Sequence, residues 1–419
     1  MIVPFALILL TLLYVCAVTA IRIGLGRLKE GENTRQYSVS VVVAARNEER
    51  NIGRCLERLV SQDYPSDRYE VVVVDDRSED GTGEIVKDFG RRYDHVRLVR
   101  VDDVPAGLSA KKYALSKGIT ASKGEILFVT DADCLPGRGW LSGMMRYFEP
   151  DVGMVAGYSP FQVGEGLSGS AVGVLEQVAT WGVNEGYSEA AFSGGAGSAG
   201  VSGVSMEPRD GMSSQRLGRR FFERLLAFEA MVTATMAAGS IGIGGGITCA
   251  ARNLAYRREV FEQVGGFSKI EKARSGDDTL LLQLVGKATK WKVRYSISPK
   301  TFVQTFPPDG VGAFYDQRTR HFSTAKIFTK PLLALAGAIY LFDFLLIVSV
   351  PWALITGTMF PLICFGAKAL ADWMAMWQSS KLFRGRRLLG LFPIMELLYP
   401  PYIVFFGALG AFKNFRWKE

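Results

Sequence analysis

Short apolar runs alternate with amphipathic stretches through the first part of the chain. Four runs have the β-branched, continuously apolar character of strands buried on both faces, and they cover residues 39–45, 70–74, 96–101 and 125–130. The three intervals between them carry helical periodicity, at 51–61, 81–89 and 110–117. Strands that alternate with helices in this way form parallel crossovers. The pattern therefore predicts an α/β domain with a doubly wound, mainly parallel sheet.

Acidic residues stand where two of these predicted strands end. Asp131 and Asp133 are separated by one residue at the end of the last run, and Asp75 and Asp76 end the second run. Ligands of open α/β sheets bind beyond the carboxyl ends of the strands. A carboxylate pair with this spacing suits a hard divalent cation that also holds a phosphate. We therefore expect one nucleotide-sized crevice at this edge, with a solvated turn as the alternative for each acidic pair.

A different pattern, long and uncharged, occupies the amino terminus. Residues 2–21 carry no charge over about the 20 residues that a helix needs to cross a bilayer, and Arg22, Arg27 and Lys29 follow directly. This charge order favours an uncleaved transmembrane anchor at 1–21 with a cytoplasmic domain behind it. A cleavable signal peptide is the alternative. We expect an integral, multi-pass membrane protein, which in a bacterium would lie in the plasma membrane.

Three further apolar stretches predict about three C-terminal transmembrane helices within 331–412. They cover residues 332–350, 352–374 and 388–412. Charged residues inside the last two leave the number of spans open. Between the membrane regions we expect one cytoplasmic domain at 36–308, followed by an amphipathic interfacial segment at 309–330. The Gly/Ser-rich part of that domain, 164–219, predicts a flexible insertion, because its small residues bury little apolar area.

The composition narrows the function classes. The hydrophobic fraction of 48% is high for a wholly soluble protein. The net charge of +8 comes largely from basic residues that flank the apolar stretches, so anionic lipid head groups and a diphosphate explain it better than nucleic acid. Five scattered cysteines without a C-x-x-C spacing imply neither a disulfide framework nor a zinc site. With only two histidines, a catalytic metal must rely on carboxylates and phosphate oxygens.

Eight short motifs follow one another in an order that resembles family 2 glycosyltransferases. They are Val-Ser-Val-Val-Val-Ala-Ala-Arg-Asn-Glu (39–48), Val-Asp-Asp-Arg-Ser-Glu-Asp-Gly-Thr (74–82), Ala-Lys-Lys-Tyr-Ala-Leu (110–115), Thr-Asp-Ala-Asp (130–133), Asn-Leu-Ala-Tyr-Arg-Arg (253–258), Val-Gly-Gly-Phe (264–267), Gly-Asp-Asp-Thr-Leu (276–280) and Gln-Arg-Thr-Arg-His (317–321). The resemblance covers residues 38–325. It implies a GT-A type domain and inverting sugar transfer from a nucleoside diphosphate.

The resemblance also implies a donor site. The residues that it places around the nucleotide-sugar are Ala44, Arg46, Glu48, Asp76, Lys111, Asp131, Arg318 and Arg320. Asp131 and Asp133 would hold Mg²⁺ or Mn²⁺ against the diphosphate. Asp76 would accept a hydrogen bond from a uracil edge, which makes a UDP-sugar the expected donor. For Lys111, a solvated position on a surface helix is the alternative, because Ala110 replaces the glycine that usually precedes this lysine and Lys112 competes with it.

On the acceptor side, the resemblance makes Asp278 the general base, since it matches the second acid of the family's Glu-Asp motif. The resemblance also assigns four further residues to the acceptor side, which are Asp277, Asn253, Gln317 and His321. A helix N-terminus capped by acids is the alternative for Asp278, and the two roles are compatible. Gln317 to His321 resembles the family's Gln-x-x-Arg-Trp motif on a membrane-surface helix. Histidine in place of tryptophan weakens the case for polymer synthesis, and His321 can equally be a bystander.

Together these features predict a metal-dependent, inverting glycosyltransferase that acts on a membrane-associated, lipid acceptor. The first alternative is a processive synthase that extends a polysaccharide or oligosaccharide. A Mg²⁺ phosphatase with Asp131 as nucleophile would leave the other motifs unexplained. A non-catalytic membrane subunit is disfavoured because Asp131, Asp133 and Asp278 are all present.

Overall fold

The computed structural model describes residues 2–163, 210–273, 276–324 and 328–412. Its helices are α1 (Ile2–Arg27), α2 (Ile52–Val60), α3 (Thr82–Arg92), α4 (Ala110–Ala121), α5 (Trp140–Met145), α6 (Asp210–Gly242), α7 (Arg258–Gln263), α8 (Thr279–Ala288), α9 (Gly310–Ser323), α10 (Lys330–Thr356), α11 (Met359–Leu382) and α12 (Phe392–Phe412). Its strands are β1 (Val39–Ala45), β2 (Tyr69–Asp76), β3 (Val96–Val101), β4 (Ile126–Asp131), β5 (Cys134–Pro136), β6 (Val152–Gly157), β7 (Leu254–Arg257), β8 (Lys292–Ser296) and β9 (Val303–Thr305).

The centre of the fold is a seven-stranded sheet in the order β3-β2-β1-β4-β7-β6-β8. The four strands predicted from the apolar runs pair in parallel, with β1 between β2 and β4. Strand β7 pairs antiparallel with both β4 and β6, whereas β6 and β8 are parallel. Strands β5 and β9 form a separate antiparallel pair. The mainly parallel, doubly wound α/β class predicted from the sequence is confirmed.

Both faces of the sheet are covered, because its strands carry apolar residues continuously rather than in alternation. Val41, Val42 and Val43 on β1 are all fully buried. Their side chains enter two separate cores, one on each face of the sheet. Helix α2 covers one face with an apolar stripe. The carboxyl ends of β1, β2 and β4 consequently lie at one rigid edge.

Five helical stretches in the described part of the chain are long and apolar enough to cross a membrane. They are 4–27, 218–242, 330–356, 359–382 and 386–412. The first and the last three were expected from the sequence. The second belongs to α6, and it is largely buried against the sheet domain and its neighbouring helices.

Two boundaries differ from the sequence-based prediction. Helix α10 continues through Pro351 and ends at Gly357, whose left-handed φ of 72° stops the helix. The predicted insertion at 164–219 lies outside the described residues as far as 209, and its last ten residues belong to α6 rather than to a loop. Residues 163–223 form a unit of their own, of which the structure describes Val163 and the start of α6.

Candidate functional site

The strand ends predicted to form a crevice are neighbours in the sheet. Ala44 on β1 lies in register with Asp131 on β4 and with Val74 on β2. Ala45 is paired with Asp75. The small side chain of Ala44 thus separates the two acidic strand ends. This arrangement leaves the backbone of β1 accessible to a ligand at the position expected for a nucleotide.

Asp131 and Asp133 come together with Cys134 in a group whose potential ligand atoms all lie within 4.8 Å of one another. Burial and the charge of Asp133 raise the pKa of the Cys134 thiol, whose Sγ donates a hydrogen bond to Oδ1 of Asp133 at 3.5 Å. Burial and the charge of Asp131 likewise raise the pKa of Asp133. Two crowded carboxylates of this kind fit a hard divalent cation, because the cation relieves their mutual repulsion.

Lys111 joins the metal side of the site to the acceptor side. Its Nζ atom lies 2.8 Å from Oδ1 of Asp131 and 3.3 Å from Oδ2 of Asp277. Burial opposes the charge on this lysine, but the carboxylates of Asp131 and Asp277 outweigh burial and raise the pKa of Lys111. Lys111 also counteracts the burial of Asp131 and lowers the pKa of that carboxyl. The surface-helix alternative for Lys111 is wrong, since the lysine bridges residues from β4 and the start of α8.

Asp278 caps the N-terminus of α8. Its Oδ1 accepts a hydrogen bond from the Thr279 N–H at 2.6 Å, and its Oδ2 accepts one from the Ala251 N–H at 2.8 Å. Burial and the charge of Asp277 raise the pKa of Asp278 above that of an ordinary aspartate. The two backbone contacts fix the orientation of the carboxylate without exhausting its lone pairs. Capping and proton abstraction are therefore compatible here.

Residues predicted on the nucleotide side lie around the ends of β1 and β2. Asp76 is buried, and its Oδ1 accepts a hydrogen bond from Nε of Arg77 at 2.9 Å. Arg46 directly follows β1 and is half-buried. The Glu48 N–H donates to Oγ1 of Thr82 at 2.8 Å, which ties the loop after β1 to the start of α3. These contacts place all three predicted residues at the crevice edge of the sheet.

Helix α9 carries the Gln-Arg-Thr-Arg-His motif, and the structure separates the roles of its two arginines. Arg318 is buried and forms an ion pair with Glu229 of α6, whose other carboxylate oxygen accepts a hydrogen bond from Tyr402. Arg318 is thereby used to hold α9 against α6 and α12. The predicted phosphate contact of Arg318 stays a prediction, since one side of its guanidinium pairs with Glu229 while its buried Nε has no hydrogen-bond partner among the described residues.

The remaining motif residues stay near the acids or at the surface. Arg320 is half-buried, and the carboxylates of Asp131 and Asp277 counteract the burial that lowers its pKa. Gln317 has a buried Oε1 atom with no hydrogen-bond partner among the described residues. His321 is exposed, with Nδ1 at 3.3 Å from an Arg318 Nη1. Arg320 thus keeps its predicted place beside the acidic cluster.

Asn253 is a correction. Its side chain is fully buried and accepts a hydrogen bond from Nε1 of Trp140, while its Nδ2 donates to the carbonyl oxygens of Tyr158 and Thr301 at 2.8 Å each. Every strong polar position of the amide is engaged with the protein interior. Asn253 therefore stabilises the protein interior next to the site instead of contacting an acceptor.

Arg252 was missed by the motif comparison, although it directly precedes Asn253. Its backbone oxygen accepts a hydrogen bond from Oγ1 of Thr130, the residue before Asp131. Its charge acts on Asp131 and Asp133. In the sequence, Arg252 is a basic residue directly before the Asn-Leu-Ala-Tyr run of the motif. The spacing of the motif does not indicate where its side chain points.

Comparisons with known proteins identify the family of the chain. The model of glycosyl transferase family 2 matches residues 40–168, and the model of glycosyl transferase family group 2 matches residues 210–404. The chain is 38% identical over 124 residues to the glycosyltransferase AglE of Haloferax volcanii, which is 29% of this chain and 40% of that protein. It is 37% identical over 110 residues to the beta-monoglucosyldiacylglycerol synthase of Synechocystis, which is 26% of this chain and 22% of that protein.

The chain thus spans less than half the length of either of these relatives. Among solved structures, it is similar to the mannosyltransferase PcManGT from Pyrobaculum calidifontis, in complex with GDP-Man and Mn²⁺, with a TM-score of 0.54, 20% identity and full coverage of both chains. This likeness concerns the fold and supports the GT-A type arrangement. Two adjoining models of one family group, on a sheet with its acidic strand ends in place, show that the chain belongs to glycosyltransferase family 2.

Proposed function

We propose that this protein is an inverting, metal-dependent hexosyltransferase that moves a sugar from a nucleoside diphosphate, expected to be UDP, to a hydroxyl of a lipid acceptor. One observation carries the proposal. The Lys111 bridge brings Asp131 of the predicted donor side and Asp277, the neighbour of Asp278, into one charge cluster. Transfer requires a leaving group and a base on either side of one sugar carbon, and this cluster supplies both sides.

On the donor side, Asp131 and Asp133 are the residues that would hold Mg²⁺ or Mn²⁺. When bound, such a cation neutralises charge on the departing diphosphate. Lys111 and Arg320 contribute further positive charge close to the same carboxylates. Ala44 gives the nucleotide access to the end of β1, where Asp76 and Arg46 are available to contact the base.

On the acceptor side, Asp278 accepts the proton from the attacking hydroxyl. Its backbone contacts hold the carboxylate in one orientation, which reduces the entropy lost on reaching the reactive geometry. Its raised pKa brings its basicity closer to working pH than that of a surface aspartate. A single in-line displacement then breaks the bond from the anomeric carbon to the diphosphate as the bond to the acceptor oxygen forms.

A lipid acceptor is supported by the surroundings of α9. The ring of Phe322 on this helix stacks on Phe406 of α12 with centroids 6.0 Å apart, and Phe314 meets the same ring edge-on. The helix that carries Gln317, Arg320 and His321 thus packs directly on an apolar helix. A relative named for glucosyldiacylglycerol synthesis supports the same acceptor class. We propose a multi-pass membrane protein with its sheet domain on the cytoplasmic leaflet.

The test is a donor screen on membranes that contain the full chain, with Mn²⁺ and a labelled acceptor extract. We expect nucleoside diphosphate release with one sugar nucleotide and label that chases into organic solvent. Asp278→Asn should lower turnover by about three orders of magnitude, because the general base is lost. The control is Asp88→Asn on the exposed face of α3, which should turn over like the wild type.

Each of the other possible outcomes would contradict a specific part of the proposed function. Label in a high-mass polymer would favour a processive synthase. Unchanged turnover of Asp278→Asn would show that another group is the base. Nucleotide binding without transfer for any donor would favour a non-catalytic subunit.

A further inference from the structure

Arg252 lies between Ala251, whose N–H donates to Asp278, and Asn253, and its carbonyl oxygen accepts a hydrogen bond from Thr130, directly before Asp131. Its side chain has no ion-pair partner in the part of the chain that the structure describes. Its Nε atom is buried and makes no hydrogen bond to any described residue. Nevertheless its charge acts on both Asp131 and Asp133. A buried guanidinium donor without an acceptor is unfavourable unless a ligand satisfies it. The arginine therefore has hydrogen-bonding capacity that the surrounding protein does not use.

The guanidinium is held in place by its surroundings. The Cζ atom of Arg252 lies over the Phe161 ring, 5.3 Å from the centroid. Phe161 is itself buried and forms a bridge with Thr305 at the end of β9. On its other side, the Arg252 backbone is tied to Thr130 at the end of β4. This stacking restricts the rotation of the arginine, so its donors have a preset direction.

Residues 251–253 join the main parts of the site through three consecutive contacts. The Ala251 N–H binds the Asp278 carboxylate, the Arg252 carbonyl oxygen binds Thr130, and the Asn253 amide binds the protein interior. The Arg252 side chain therefore projects from a segment whose position is fixed relative to both the base and the metal-side strand.

We propose that Arg252 binds the phosphate oxygens of the departing nucleoside diphosphate. This inference rests on the proposed function and adds a residue to its donor site. A cation held by Asp131 and Asp133 would face the positive charge of Arg252 unless an anion lay between them. A diphosphate supplies this anion, and a guanidinium binds it with two parallel N–H donors.

The phosphate could in principle belong to the donor or to a phosphorylated lipid acceptor. The position of Arg252 favours the donor, because its backbone oxygen accepts a hydrogen bond from Thr130, the residue directly before Asp131. An experiment can separate the two sources, since a donor phosphate is tested with soluble nucleotides alone.

The experiment measures binding of UDP, GDP, UMP and GMP to the full chain in detergent with Mn²⁺, by titration calorimetry. The variants are Arg252→Gln, Arg252→Lys and Phe161→Leu. Arg92→Gln is the matched control, since Arg92 also stacks on a phenylalanine, Phe89, with its Cζ atom 4.4 Å from the ring centroid, but lies on α3 and pairs with Asp88. Thermal unfolding of each variant reports whether the fold is intact.

We expect Arg252→Gln to weaken binding of the preferred diphosphate by about tenfold or more, with little change for the corresponding monophosphate. Arg252→Lys should show an intermediate loss, because it keeps the charge without the planar fork. Phe161→Leu should show a smaller loss, and Arg92→Gln none. A merely structural role would weaken both nucleotides alike.

Four results would overturn the inference. Unchanged diphosphate affinity in a folded Arg252→Gln variant would exclude the contact. Equal losses for diphosphate and monophosphate would assign Arg252 a structural role. A raised KM for the acceptor with normal nucleotide affinity would assign the phosphate to the lipid. If the wild type binds no nucleotide at all, the proposed function itself fails, and the inference fails with it.

Discussion

Two lysines in this protein have almost the same partners and opposite surroundings. Lys111 lies 2.8 and 3.3 Å from the carboxylates of Asp131 and Asp277. Lys368 lies 2.8 and 2.7 Å from those of Asp372 and Glu396. The Lys111 side chain is 21% exposed and the Lys368 side chain 3%. Both clusters consist of one cation between two acids, so the difference in function must come from access to solvent and ligand.

The Lys111 cluster lies where a sheet edge meets the start of a helix, and a ligand can exchange with the lysine there. The Lys368 cluster lies among apolar helices. Its Asp372 also accepts a hydrogen bond from the Tyr14 hydroxyl, which ties α1 to α11, while Glu396 ties α12 to α11. Charges in such a place are costly to leave unpaired. The same arrangement of one lysine and two acids therefore joins helices in the Lys368 cluster and leaves the lysine more exposed in the Lys111 cluster, as the proposed function requires.

The largest effect should come from the Lys111 cluster. Asp131→Asn keeps the shape of the side chain but removes a metal-side charge, so transfer should fall by about 10³-fold or more. Thermal stability should change little, since Lys111 keeps Asp277 as a partner. Product release and thermal unfolding are measured side by side. A variant that loses stability in proportion to activity would contradict the proposed division between the clusters.

The matched pair Lys368→Met and Lys111→Met tests the division directly. Lys368→Met leaves the buried Glu396 and the partly exposed Asp372 without their cation, and we expect a loss of about 3 kcal/mol in stability. Lys111→Met should cost far less stability, because its carboxylates reach solvent, but should lower turnover. Denaturation in detergent measures the first effect and donor turnover the second. Equal destabilisation by both substitutions would refute the comparison.

A third acid sharpens the description of the Lys368 cluster. Asp343 of α10 is buried, and its Oδ1 has no hydrogen-bond partner among the described residues. Together with Asp372 and Glu396 it gives three acids near one lysine, so its charge is in excess. We expect Asp343→Asn to leave stability unchanged or raise it by about 1 kcal/mol. A loss of stability as large as that of Lys368→Met would show that Asp343 helps to stabilise the Lys368 cluster.

The smallest effect concerns pH. Burial and Asp277 raise the pKa of Asp278, so its protonated, inactive form persists to higher pH than in an ordinary aspartate, and kcat/KM should fall as pH drops through the raised value. Asp277→Asn removes the second cause, and the acid limb should move to lower pH. The raised pKa also means that ionising Asp278 costs folding free energy as pH rises. If the acid limb of the kcat/KM profile does not shift in Asp277→Asn, the result would argue against Asp278 as the titrating base.

Much of the site could be predicted because it depends on strand ends. Strands β1 and β3 begin and end at the predicted residues, since β1 is an apolar run that stops at Arg46 and β3 is a valine-rich run that stops at Asp102. The parallel order then brings Asp131 next to Ala44 whatever the details of packing. The prediction that Asp278 shares this site came from the family resemblance, because Asp277 and Asp278 precede a helix rather than end a strand, and the Lys111 bridge to Asp277 agrees with it.

The contacts that could not be predicted concern side chains whose partners are remote in sequence. Arg318 is 89 positions from Glu229, and no pattern in either helix announces their ion pair. The motif position of Asn253 does not indicate whether its side chain faces a ligand or the core. Only the packing of the surrounding elements determines this direction. Arg252 was overlooked for a related reason. The direction of its side chain is set by stacking on Phe161, which follows a different strand.

Helices α1 and α6 cross in close backbone contact. A Cβ atom on Gly24 would lie 1.9 Å from the Gly239 carbonyl oxygen, and one on Gly242 would lie 2.1 Å from that of Gly24. The two backbones therefore touch without side chains between them, as in small-residue helix pairs within membranes. A larger residue at any of these three glycines would push the two helices apart. Because α6 also packs into the core beside the sheet, such a substitution would disturb the attachment of the first apolar helix to the sheet domain.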